Sequence, residues 1–234
     1  MCAVLKRPIA TSCAGTIIAT ALVVGSLVKA PSAQPIPVNY SVHLASATSY
    51  DTRSRDEDTV HASLTVLVNG ERRGGAIWDG KGWDGSRAEG RRWVSGLHLF
   101  GPSTGSTVQV ATGRLQDTDT VEIILQLLNS TRDPSEEDHR SVAARIHQTP
   151  CAGADGASAW DCIAPLADSI VAGWPLAGCD GLLAADKLAY TAMQLRRRTE
   201  TGDTVTVSNL YRGTPAPAGC GQSIYAAIVT IARQ

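Results

Sequence analysis

Between Val60 and Val68 every second residue is apolar (Val60, Ala62, Leu64, Val66, Val68), and the run stops on Asn69-Gly70. Side chains leave a strand on alternate faces, so this period of two marks a half-buried strand. Asn-Gly supplies the positive φ angles that a tight hairpin turn demands. The chain is thereby committed to antiparallel pairing, and the pattern on either side extends it. Val38, Tyr40, Val42 and Leu44 alternate in the same way. Residues 49–58 read as a charged loop, and residues 74–90 as a glycine-rich loop with a return strand inside it. Further strands are expected at 93–100 and 106–112, joined by a turn at 101–105. A run at 120–128, β-branched at its start and almost wholly apolar, belongs in the middle of a sheet.

After Asp133-Pro134 the character changes. Ser135 and Asp138 form a capping-box pattern, and Glu136 and Glu137 suit a helix N-terminus, which predicts a helix to about His147. A weaker helical segment covers 163–172. Asp180 is expected to cap a further helix with Ala184, Leu188, Ala192 and Leu195 on one face. Arg196, Arg197 and Arg198 would complement its negative end, with Gly202 beyond it. Strands at 204–211 and 223–232 close the chain. Strands, helices and strands again indicate an α+β domain: a mainly antiparallel, sandwich-like sheet with two or three inserted helices.

The leader decides the compartment. Lys6 and Arg7 precede an apolar run from Ala14 to Val28, and small residues follow at Ala30, Ser32 and Ala33. That is the layout of a cleaved secretory signal, expected to occupy residues 1–33. The apolar run has 15 residues, whereas a span needs about 20. An uncleaved anchor is the rival, diluted by Pro8, Thr11 and Ser12. The mature part, residues 34–234, reads as one secreted domain. Its net charge moves from −1 for the whole chain to −4, because the leader carries Lys6, Arg7 and Lys29 and no acid. A mildly acidic surface without a basic block argues against nucleic acid as a partner, and no stable membrane span remains after cleavage. Cell-wall glycan or an extracellular protein are the partner classes left.

Cys151, Cys162, Cys179 and Cys220 remain, an even set that reads as two disulfides with three connectivities open. The preferred pairing is Cys151–Cys162, closing a small loop, with Cys179–Cys220 tying a helix start to the last hairpin. No Cys-x-x-Cys or paired-histidine spacing accompanies them, so a cysteine metal site has no support.

Four constellations are candidates for chemistry. Gly101-Pro102-Ser103-Thr104-Gly105 matches a nucleophile elbow, but a strand-like run follows where the mechanism requires a helix, so a hairpin turn is the reading. His43, His61, His98, His139 and His147 stand in no zinc-hydrolase frame; the first three fall on strands and the last two on the acidic helix. Asp51 and Asp58 precede one strand, and Asp117 and Asp119 another. Were those loops to meet, the four carboxylates would offer Ca²⁺ part of the roughly six to eight oxygens it takes. Trp78-Asp79-Gly80 and Trp83-Asp84-Gly85 repeat a motif on the glycine-rich segment. There the indoles would stack on sugar rings with Asp79 and Asp84 on hydroxyls, or fold back as core lids. Asn39-Tyr40-Ser41 and Asn129-Ser130-Thr131 fit the glycosylation sequon.

Several fragments together resemble a loose group of uncharacterised exported proteins of actinobacteria and fungi. They are Arg53-Ser54 with Asp58-Thr59, Asn129-Ser130, Ala185-Asp186, Tyr211-Arg212-Gly213-Thr214, and Gly219-Cys220-Gly221 with Ser223 and Tyr225. The resemblance implies export and a Cys179–Cys220 link, and it carries no activity. Three function classes follow. The first is a non-catalytic extracellular domain binding a glycan, a cation or a protein. The second is a secreted hydrolase, and the third a secreted inhibitor or interaction protein presenting the loop between Cys151 and Cys162.

Overall fold

The computed structural model describes residues 38–54, 57–83, 91–93, 98–100, 103–104, 107–112, 115–153, 156–200, 202–213 and 216–233. Its strands form two antiparallel sheets. One holds β1 (Val38–Asp51), β4 (Arg91–Trp93), β6 (Ser103–Thr104), β7 (Thr107–Thr112), β10 (Val205–Arg212) and β11 (Ile224–Arg233), in the order β10-β11-β1-β7-β6 with β4 also on β1. The other runs β5-β3-β2-β8-β9, from β2 (Glu57–Val68), β3 (Glu71–Trp83), β5 (His98–Phe100), β8 (Thr120–Asn129) and β9 (Gly181–Thr191). The helices are α1 (Glu136–Gln148), α2 (Trp160–Ile163), α3 (Ala167–Ile170) and α4 (Ala192–Thr199). The α+β sandwich read from the sequence is therefore the fold, and both preferred disulfides, Cys151–Cys162 and Cys179–Cys220, are formed.

The Asn69-Gly70 hairpin is present as expected. Asn69 and Gly70 have φ of 51° and 79°, and β2 pairs with β3 from Val68 opposite Glu71. The Asn69 side chain accepts from Thr120 N at 2.9 Å, fastening the turn to the start of β8. β8 lies between β2 and β9, the internal place its apolar run implied.

Five expectations need correction. The segment from Gly181 to Thr191 is strand, not helix; only Ala192–Thr199 is helical, capped by Thr191, which accepts from Gln194 N. Cys179 thus ties the approach to β9, not a helix start, to the loop before β11. The glycine-rich segment is strand as far as Trp83, and β1 continues through the first residues of the expected charged loop to Asp51. The expected strand at 93–100 is two short strands, β4 and β5, in different sheets.

The core lies between the sheets. Tyr40, Val42 and Leu44 of β1 and Tyr225, Ala227, Val229 and Ile231 of β11 are buried in one core with Ala62, Leu64, Trp78, Ile123 and Leu125 of the other sheet. β11 alternates buried with half-buried residues, so one of its faces looks outward. β2, β8 and β9 are buried almost continuously, because α1, α2 and α3 lie against the same sheet. Two carboxylates bolt the sheets together. Asp58 accepts the Tyr225 hydroxyl at 2.8 Å, and Asp186 accepts the Tyr211 hydroxyl at 3.1 Å. Among the described residues no helix is long and apolar enough to cross a membrane.

Candidate metal centre

Register puts His61 of β2 opposite Asp79 of β3, and between His61 and Thr65 on β2 and Gly75 and Asp79 on β3 the odd-numbered residues turn away from the inter-sheet core toward α1. His61 Nδ1 stands 2.7 Å from Asp79 Oδ1, and its Nε2 is 3.2 Å from the Ser130 carbonyl. A third carboxylate comes from the loop between β8 and α1, with Asp133 Oδ1 at 4.0 Å from the same Nδ1. One ligand atom from each of the three residues lies within 4.8 Å of the others. The imidazole is nearly inaccessible, Asp79 is one-third exposed and Asp133 faces solvent. The cluster is thus anchored inside and open outside.

The loop carrying Asp133 is tied at both ends. Ser130 N donates to the Thr59 carbonyl, and Thr131 N and Oγ1 donate to Asp180 at 3.0 and 3.1 Å. Two residues beyond Asp133, Ser135 caps α1, and its N–H is returned to Asp138 in a full capping box. The arrangement suits a cation. With Nδ1 on a metal, Nε2–H still donates to Ser130 O, which orients the ring and fixes its tautomer. Both His61 hydrogen bonds to acceptors otherwise require two protons on the ring.

His139 of α1 is fully buried beside this cluster, within electrostatic reach of His61, Asp79 and Asp138 and edge-on to Trp174. Neither ring nitrogen has a hydrogen-bond partner among the described residues. Burial holds its imidazole down to about 4, and the His61 ring acts in the same direction. Ser130, Asp133, Pro134, Asp138 and Trp174 line a cavity of about 100 Å³ on the outer side of the cluster.

The carboxylates first considered for Ca²⁺ do not converge. Asp51 and Asp58 lie at one end of β2, while Asp117 and Asp119 lie beside Asn69 at the other, roughly 35 Å away along the strand. Each serves a turn. Asp58 accepts from Arg53 N, Ser54 N and the Tyr225 hydroxyl, and Asp51 from Thr52 N. Asp119 accepts from Gln116 N and Asn69, and Asp117 pairs with Arg196 at 2.7 Å.

The Trp-Asp pairs also separate. Trp78 points into the core at 1% exposure, which rules it out as a sugar platform and makes it the core lid of the alternative reading. Asp79, its neighbour, faces the other way and becomes a cluster member. Trp83 pairs in register with Glu57, and Asp84 lies outside the described residues. Ser103 and Thr104 form β6, a hairpin partner of β7, so no helix supports an elbow there. Asn129 of the second sequon is 2% exposed, with its side chain bonded to Thr59 N, Ser54 Oγ and the Cys179 carbonyl.

Sequence reasoning placed His61 on a strand but missed its partners. A regular ladder from the Asn69-Gly70 turn would pair His61 with Trp78; the bulge between Val66 and Leu67 shifts the register by one residue and brings Asp79 opposite it, and Asp133 carried no local signal. No protein-family model matches the chain, and no curated protein is similar enough to count as a relative.

Proposed function

We propose that the protein is an exported, non-catalytic binding domain that holds a divalent transition-metal cation at His61, Asp79 and Asp133. The observation that carries this reading is the convergence of one imidazole nitrogen and two carboxylate oxygens within 4.8 Å, with the second imidazole nitrogen spent on a backbone carbonyl. A mixed nitrogen and oxygen set favours Zn²⁺ or Mn²⁺ over Ca²⁺, which prefers oxygen alone. Two disulfides accord with export, since such bonds persist in oxidising compartments.

Calorimetric titration of the metal-stripped protein with ZnCl₂ should give one site per chain, and His61→Ala should weaken it by about a hundredfold or more. Asp133→Asn should weaken it less, because that ligand is the exposed one. Equal heats from wild type and His61→Ala would end the proposal. Three protein ligands leave coordination positions open, the feature that favours a hydrolase as second reading. Zinc-dependent turnover of generic ester or phosphate substrates, lost in His61→Ala, would decide for it.

A further inference from the structure

A second site lies on another part of the domain and owes nothing to the cation. β10 ends the order of its sheet and pairs only with β11 among the described residues. Gly213 N donates to Ser223 O, so at this end the odd-numbered positions turn their backbone groups toward β11. Arg212 O points the other way, where it accepts from Trp160 Nε1 at 3.0 Å. By the alternation of an antiparallel ladder, the N–H and C=O of Thr206, Ser208 and Leu210 face the open edge as well.

At the end of that edge lies a cleft of about 450 Å³ between α2 and β10, walled by Trp160, Pro165 and Leu210 and rimmed by Asp161 and Arg212. Its walls are fixed by buried chemistry. Asp186 receives Ala159 N at 2.7 Å from the α2 side, and Asn209 Nδ2 at 2.7 Å and the Tyr211 hydroxyl at 3.1 Å from β10. The Cys151–Cys162 disulfide anchors α2 from its other side. A single buried carboxylate therefore sets the spacing of both walls. Leu210 is half exposed at the cleft.

We infer that the β10 edge binds an extended peptide of a partner protein by strand addition, with an apolar side chain seated against Trp160, Pro165 and Leu210 and an acidic residue facing Arg212. Main-chain hydrogen bonds along Thr206–Leu210 would give affinity, and the cleft would give selectivity. This takes the interaction-protein class of reading to a defined surface and stands whether or not the cation site does.

The test uses a blocked nonapeptide of alternating threonine and valine with a central leucine–glutamate pair, added to the full disulfide-bonded domain. Amide hydrogen exchange at Thr206, Ser208 and Leu210 should slow by about tenfold or more, with the amides of β6 and β7 unchanged. Ser208→Pro removes one edge N–H without touching the β11 ladder and should abolish binding while its thermal midpoint stays near wild type. Arg212→Glu should select the lysine-substituted peptide over the glutamate one. Unchanged exchange at saturating peptide, or equal protection by a peptide with a central proline, overturns the inference. A dimer by sedimentation, dissolved by Ser208→Pro, would overturn it in favour of a second copy of the chain.

Discussion

His139 shows how a single residue can couple this fold to pH. Its ring is completely buried, its nitrogens have no hydrogen-bond partner among the described residues, and its folded-state value is about 4 against an ordinary 6.5. The unfolded chain therefore takes up the proton first. Stability present above pH 6.5 is lost as pH falls toward 4, by about 3 kcal/mol. His61, Asp79 and Asp138 are the titratable groups around the ring. Asp186 works in the opposite sense. Burial raises its carboxyl, so its contribution is full in acid and fades as pH rises through its folded value. In metal-stripped protein, His139→Leu should flatten the loss between pH 6.5 and 4, read from urea midpoints at several pH values. An unchanged pH profile would show that another group is responsible.

At the scale of elements, α2 is four residues long and cannot stand alone. It is held by Cys151–Cys162, by Asp186 on Ala159 N and by Trp160 on β10. By loop entropy the closure of 11 residues contributes about 3 kcal/mol and that of 41 about 4 kcal/mol. Cys151→Ser with Cys162→Ser should therefore cost less in denaturant stability than Cys179→Ser with Cys220→Ser. Only the first pair should loosen Trp160, seen as a change in its fluorescence. The same elements show where sequence patterns mislead. β9 is buried on both faces, which erases the period of two, and its Ala184 and Leu188 then extend the genuine helical stripe of Ala192 and Leu195 in α4 backwards into the strand. Lys187 reads as a surface charge, yet it is buried and donates to His147 O and Thr149 O at the end of α1. β3 is unrecognisable by composition because its glycines lack the side chains that alternation needs.

For the whole molecule, two sheets are pinned by paired tyrosine–carboxylate contacts while one sheet's outer face carries the helices and the cation ligands. Ligand binding to the folded state alone raises stability by mass action. Zn²⁺ at about a hundredfold over its dissociation constant should add about 3 kcal/mol, seen as a higher thermal midpoint. Ca²⁺ at the same concentration should leave it unchanged. Dispersed segments also meet at this scale. Asp58 bonds Arg53 N, Ser54 N and the Tyr225 hydroxyl, Asn129 bonds Thr59 N and the Cys179 carbonyl, and Gly221 N returns to Arg53 O. Arg53, Ser54, Asp58, Thr59, Asn129, Gly221 and Tyr225, seven of the residues that carried the resemblance, thus form a structural knot at one end of the sandwich.

By itself, the sequence determined the local features: the Asn69-Gly70 turn, the alternating strands, the Ser135–Asp138 cap and the class of the fold. These depend on backbone sterics and on side chains within a few positions, so nearby residues encode them. Only the tertiary structure decided that Asp79 and Asp133 meet His61, that four acidic residues stay apart, and that Asp186 serves a cleft. Those pairings join residues 18 to 72 positions apart along the chain. They follow from strand register and sheet packing, to which local composition is blind.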